Sequence, residues 1–259
     1  MQKTKIKKIL NKKNKTPITC LTAYSKTIAQ IADKYCDIIL VGDSLGMVLH
    51  GMKTTREVKI ETMILHGRTV KAFAKKSLVV FDMPYRTYTN KSIAYKNAKK
   101  VIKLTRCDAI KLEGGKKVAK IIKYLVDKGI PVMGHVGLLP QSSADFKLKG
   151  KNSMQRKKIL QDAIAVSNSG AFAIVIECVV ESLAKKITKK VSIPTIGIGA
   201  SKYCDGQILV IDDMLGLSDF FPKFVKRYSN VKEIIDKSIK NYTKDVKTRR
   251  FPSSKNVYK

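Results

Sequence analysis

DAIKLEG, residues 108–114, is an apolar run of strand length in Ala109, Ile110 and Leu112, with Lys111 and Glu113 two positions apart on one strand face. Seven further runs share its β-rich character: ITCLTAY from Ile18, DIILVG from Asp37, SLVVFD from Ser77, PVMGH from Pro131, AIVIEC from Ala173, PTIGIG from Pro194 and QILVID from Gln207. Longer segments of helical period separate them. Residues 25–34 put Ile28, Ile31 and Ala32 on one face. Residues 90–103 align Ile93, Ala94, Val101 and Ile102 behind Asn90 as N-cap, and residues 151–170 read as the fifth helix. Strands alternating with helices throughout predict a parallel sheet covered by helices.

An open doubly wound sheet and a closed barrel both satisfy that alternation, and the strand ends separate them. Six of the eight runs finish in a reactive or phosphate-style residue: Asp43, Asp82, Glu113, His135, Glu177 and the turn of Gly197 and Gly199. In a barrel all strand C-termini meet at one mouth, whereas an open sheet strings them along an edge. The prediction is a TIM-type (β/α)8 barrel of the α/β class. A single domain is expected over residues 1–259, with a basic N-terminal extension at about 1–15 and a C-terminal helix and loose tail at about 229–259.

With 259 residues and 44% hydrophobic content, the chain has the size and core expected of one such barrel. Its formal charge is +32, from 52 Lys and Arg against 20 Asp and Glu. Such a field keeps a basic polyanion-binding protein open as a reading from a different class. The charge is mostly lysine, which lacks the bidentate fork of arginine, and it is spread over nearly every helix and both termini. Solvated helix faces account for it better, so no specific nucleic acid and no membrane partner is expected. Cys20, Cys36, Cys107, Cys178 and Cys204 are odd in number and form no C-x-x-C pair, which argues against a disulfide framework or zinc site. With no apolar signal region and no long apolar span, the chain reads as cytoplasmic.

Asp43, Asp82 and Glu113 each end a hydrophobic strand. For any one of them, capping a helix or pairing with a lysine is the plainer account. Three at one mouth repel one another unless a cation neutralises them, and Mg²⁺ suits hard oxygen ligands with positions left for substrate. Lys111 would bind a substrate carboxylate or oxyanion, or pair internally with these acids. Ser44 follows Asp43 in a tight turn permitted by Gly42 and Gly46. Glu177, closing an apolar strand, suits removal of a carbon-bound proton. His135 is an accessory candidate, although a lone histidine is more often structural. Cys178 should point the other way, into the core. The GIGAS turn, residues 197–201, could face an anion with its backbone, a weak signal by itself.

Taken together, VGDSLGM (41–47), DMPY (82–85), KLEGG (111–115), GHVGLLPQS (134–142), IECV (176–179), IPTIGIGA (193–200), DGQILVIDDMLG (205–216) and PKFVKRY (222–228) resemble the ketopantoate hydroxymethyltransferase family in order and spacing. The likeness runs from about Thr16 to Tyr228. It implies a TIM-type barrel, Mg²⁺, 3-methyl-2-oxobutanoate as acceptor and 5,10-methylenetetrahydrofolate as donor. A place in pantothenate and coenzyme A biosynthesis and a homo-oligomer, typically a decamer, are implied as well. Carried over by motif, Asp43, Asp82 and Glu113 are the metal-site acids, Ser44, Asp43, Asp82 and Lys111 contact the oxo acid, and Glu177 accepts the proton, by way of a Mg-stabilised enolate. Two departures stand out. The family usually has a longer loop, with a Gly-Gly-Tyr element and a Gln-Gly pair, where ADFKLKGKNS joins the PQ segment to the next helix here. Val180 replaces the proline that commonly follows Glu-Cys-Val. Another Mg-dependent 2-oxo-acid lyase working through an enolate would share the acids without needing folate.

Overall fold

Parity explains the architecture. Along each apolar run, alternate residues point to opposite faces, and in a closed parallel sheet one set fills the interior while the other meets the surrounding helices. The computed structural model describes residues 2–143 and 147–258. Residues 144–146, which open the short connection ADFKLKGKNS, lie outside them.

Eight parallel strands close in sequential order into a barrel: β1 Ile18–Thr22, β2 Ile38–Val41, β3 Leu78–Asp82, β4 Ala109–Glu113, β5 Val132–Gly137, β6 Ala173–Glu177, β7 Thr195–Ile198 and β8 Gly206–Leu209, with β8 pairing back to β1. All eight predicted runs are strands. The helices through the eighth strand are α1 Gln2–Asn11, α2 Lys26–Tyr35, α3 Leu45–Val48, α4 Ile60–Phe73, α5 Lys91–Thr105, α6 Lys116–Asp127, α7 Ser153–Asn168 and α8 Glu181–Lys190. Asn90 caps α5 as expected, its side chain accepting from the Ile93 N–H at 2.9 Å. Asn152 does the same for α7 by accepting from Gln155.

Two compact units partition the chain, Met1–Val210 with the whole barrel and Ile211–Lys259. The second holds α9 Ile211–Leu215 and α10 Val231–Lys247, and α10 has no buried residue. After α10, Phe251 stacks edge-on against Tyr242 at 5.6 Å. No helix among the described residues is long and apolar enough to cross a membrane.

The lower interior is aliphatic. Ile18 and Cys20, Ile38 and Leu40, Leu78 and Val80, Ala109, Met133, Ala173 and Val175, Ile196 and Ile208 form one buried cluster, every second residue of their strands. The basic N-terminal segment belongs to it. Its helix α1 sends Ile9, 3% exposed, into the cluster, and Ile6 packs alongside. Charged side chains hold the segment as well: the Lys5 ammonium donates to the Lys75 and Ser77 carbonyls at 2.7 and 2.8 Å, and just after α1 Lys13 pairs with Asp205 at 2.8 Å. Lysine thus serves as a structural clamp in places as well as a solvated residue. Acids at this end are structural too. Asp33 accepts the N–H groups of Lys75, Lys76 and Ser77, and Asp108 accepts from Lys71 and the Val79 N–H.

If α1 closes the base of the barrel, Ile9→Ala should lower stability by about 2–5 kcal/mol, the usual cost of truncating a buried isoleucine. Urea denaturation followed by circular dichroism checks this; an unchanged midpoint would show α1 to be dispensable.

Candidate active site

Near the C-terminal ends of the strands the inward parity changes chemistry. Leu78 and Val80 are followed by Asp82, Ala109 by Lys111 and Glu113, Met133 by His135, and Ala173 and Val175 by Glu177. Register sets the neighbours: Asp82 lies beside Lys111, and Glu113 beside His135. The strands therefore assemble a line of alternating charge inside the barrel mouth.

Lys111, 4% exposed, donates to both oxygens of Asp82 at 2.8 Å and stands 3.7 Å from Glu113 Oε1. Burial opposes its charge, but Asp82, Glu113 and Asp43 together hold its pKa above the ordinary lysine value, so it stays an ammonium. Beyond it, His135 lies between two carboxylates, with Nδ1 3.5 Å from Glu113 Oε1 and Nε2 3.2 Å from Glu177 Oε2. Neither contact has ideal hydrogen-bond alignment, but both carboxylates lie within ion-pair distance of the ring. Burial and Lys111 disfavour the imidazolium, yet the two carboxylates outweigh them and raise His135 to about 9. Burial likewise works against the charge of Glu113. His135, Lys111 and the Gln141 N–H prevail there and keep its carboxyl below the ordinary value.

Asp43 follows β2 and is also buried. Burial first, then the charges of Asp82 and Glu113, drive its carboxyl well above the ordinary range despite Lys111 and a 2.7 Å hydrogen bond from Gln141. Burial raises Asp82 too, against the pull of Lys111. Three carboxylates thus face one lysine, and the cost of the excess acid falls on Asp43 first and on Asp82 less. That pair fits a hard divalent cation, which needs only one or two carboxylates, with waters and substrate oxygens completing its shell. Among the described residues, no group of three or more His, Cys, Asp or Glu is placed to hold one ion. Glu113 turns Oε1 toward Lys111 and His135, and its Oε2 accepts from Gln141.

Ser44 begins the turn into α3, and its hydroxyl shares a 2.8 Å hydrogen bond with the Tyr24 hydroxyl. A Cβ at Gly42 would stand 2.9 Å from Ser44 Oγ and push the hydroxyl out of this position. Gly137 performs a similar service for Glu177. Its φ of 98° suits glycine, and a Cβ would come within 2.3 Å of the Glu177 carbonyl oxygen.

The structure brings Asp43, Ser44, Asp82, Lys111, Glu113, His135 and Glu177 to one mouth. Cys178 departs from the expectation of a core position: it is half-buried and left-handed, φ 47°, where the chain leaves β6. The GIGAS turn closes on itself, Ser201 accepting from Gln207 through its carbonyl and from the Tyr203 N–H through its hydroxyl. All five cysteines are free. Sequence reasoning missed Gln141, Tyr88 and Tyr24, uncharged residues whose only signal was their position within or beside the motifs.

Solved structures of low identity share the fold. Phosphonopyruvate hydrolase, solved in complex with oxalate and Mg²⁺, aligns with a TM-score of 0.64 at 10% identity over 97% of this chain and 93% of that one. 2,3-Dimethylmalate lyase, described as a member of the PEP mutase/isocitrate lyase superfamily, aligns at 0.64 and 10% over 99% and 88%. Sequence relatives are much nearer. The chain is 55% identical over 255 residues to a 3-methyl-2-oxobutanoate hydroxymethyltransferase of Pelagibacter ubique (strain HTCC1062), covering 97% of this chain and 99% of that protein. It is 51% identical to the protein of that name from Bartonella quintana (strain Toulouse), covering 97% and 93%. A family model described as ketopantoate hydroxymethyltransferase matches residues 3–254, and with it the order of motifs and the geometry of the mouth converge: this chain belongs to the ketopantoate hydroxymethyltransferase family.

Proposed function

We propose that the chain transfers a hydroxymethyl group from 5,10-methylenetetrahydrofolate to 3-methyl-2-oxobutanoate, giving 2-dehydropantoate for pantothenate and coenzyme A biosynthesis, as a cytoplasmic homo-oligomer. The observation that carries this reading is the division of labour among the buried charges. Asp43 and Asp82 bring more acid to the mouth than the Lys111 ammonium balances, Asp43 being the less compensated of the two, while Glu177 stands apart behind His135. Enolisation of a 2-oxo acid needs such a separation, with positive charge at the carbonyl oxygen and a base at the adjacent carbon.

Asp43 and Asp82 would hold Mg²⁺, with Glu113 behind them fixing Lys111 and His135. The chemistry Mg²⁺ supplies when bound is polarisation of the 2-oxo carbonyl, which acidifies the neighbouring C3–H. Lys111 balances negative charge on the substrate's oxygen as the proton leaves. Ser44, oriented by Tyr24, donates to the oxo acid at the rim. Glu177 takes the C3 proton, and the imidazolium of His135, 3.2 Å away, supports its carboxylate as base. The carbon freed of its proton forms the new C–C bond to the folate methylene. Both C–N bonds of that methylene break, water supplies the hydroxyl, and the C3 proton and the proton left from water end on the two folate nitrogens, giving tetrahydrofolate.

Proton NMR of 3-methyl-2-oxobutanoate in D₂O tests this in two stages. With Mg²⁺ the C3–H signal should fade, chelation by EDTA should stop the loss, and added methylenetetrahydrofolate should yield 2-dehydropantoate. Exchange without product would favour a lyase-type enolate enzyme instead. Glu177→Gln should slow the exchange by about 10²- to 10⁴-fold, the usual contribution of a positioned general base. Near-normal exchange in that variant would remove Glu177 from its role.

A further inference from the structure

Gln141 sits in the turn after β5, 1% exposed, and is bonded on every side. Its backbone N–H donates to Glu113 Oε2 at 3.1 Å. Its side-chain Nε2 donates to Asp43 Oδ2 at 2.7 Å and to the Met83 carbonyl at 3.0 Å. Its Oε1 accepts from the Tyr88 hydroxyl at 2.5 Å, and its own carbonyl accepts from Arg56 Nε at 3.0 Å.

The chemistry of these partners fixes the direction of each bond. The Met83 carbonyl can only accept, so the amide atom facing it is the NH₂ group, whose second hydrogen then points at Asp43. The Glu113 N–H donates to the Tyr88 oxygen at 3.3 Å, so that hydroxyl's one hydrogen is free for Gln141 Oε1. A flipped amide would set its oxygen against the Met83 carbonyl, so the donor stays on Asp43, and Tyr88 completes the set by donating to Oε1. Buried polar groups connected in this way rigidify what they touch.

We infer that Gln141 is a positioning residue for metal binding, its side chain holding the Asp43 carboxylate and its backbone the Glu113 carboxylate, with Tyr88 anchoring the amide oxygen. The inference rests on the proposal that Asp43 and Asp82 hold the divalent ion. An acid held by a fixed donor presents its remaining acceptor positions in one orientation, whereas a carboxylate without that donor is free to turn. Partners of this kind behind metal ligands contribute about 10- to 100-fold to metal affinity.

Mn²⁺ serves as the probe, its free concentration read by electron paramagnetic resonance during titration of the protein alone, without substrate. Thermal melting establishes that each variant is folded. Gln141→Met keeps the length of the side chain and removes its donors, and should bind Mn²⁺ about 10- to 100-fold more weakly. Tyr88→Phe leaves the amide and its donors in place but removes the hydroxyl that anchors Oε1, and should weaken binding in the same direction by a smaller factor. A merely structural role would lower the melting temperature and leave affinity unchanged. Mn²⁺ affinity within twofold of wild type in folded Gln141→Met overturns the inference, as does the same result in Tyr88→Phe should the first variant not fold. Failure of the wild-type protein to bind Mn²⁺ overturns the metal reading itself, and this inference with it.

Discussion

The Lys111 ammonium stands 2.8 Å from both oxygens of Asp82 and 3.7 Å from Glu113, away from solvent, and neither sign of charge is stable there without the other. Removing one partner of a buried pair strands the remaining charge at about 3–5 kcal/mol. That constraint reaches outward. Glu113, half satisfied by Lys111, draws His135 and the Gln141 N–H; His135 in turn faces Glu177; and Asp43, left with the least compensation, takes the amide of Gln141. The arrangement is organised around one lysine on β4, and its neighbours are set by the register of adjacent strands.

Much of this was legible in the sequence because strand parity is a hard geometric rule. Lys111 and Glu113 two apart in DAIKLEG, and carboxylates closing the runs ILVGD and LVVFD, required only that the sheet close for their side chains to meet. The eight runs fixed the strands because each combines β-branched residues with an abrupt stop. Asn90 announced α5 because its side chain supplies the acceptor that the first turn lacks.

What was not legible depends on contacts between residues far apart in sequence. Gln141 looks like any polar turn residue until Asp43 and Met83 are placed around it. Lys5 and Lys13 could not be told from the other lysines, although they meet buried or half-buried acceptors while most lysines meet water. Cys178 was assigned by parity to the core, but parity ends where the strand does. The chain turns left-handed there, at a cost that local packing must offset.

The seat of α1 bears on how the protein comes to be folded. The helix is synthesised well before most of the surface it covers. Lys13 waits for Asp205, 192 residues later, and Ile9 packs in a cluster that is complete only when Ile208 has been made. Contacts of such long sequence separation require a long loop to close before they stabilise anything. Until then α1 has no base to dock on. Its density of lysine, which looks excessive on a finished barrel, keeps an undocked amphipathic segment repelling others of its kind while the rest of the chain is made.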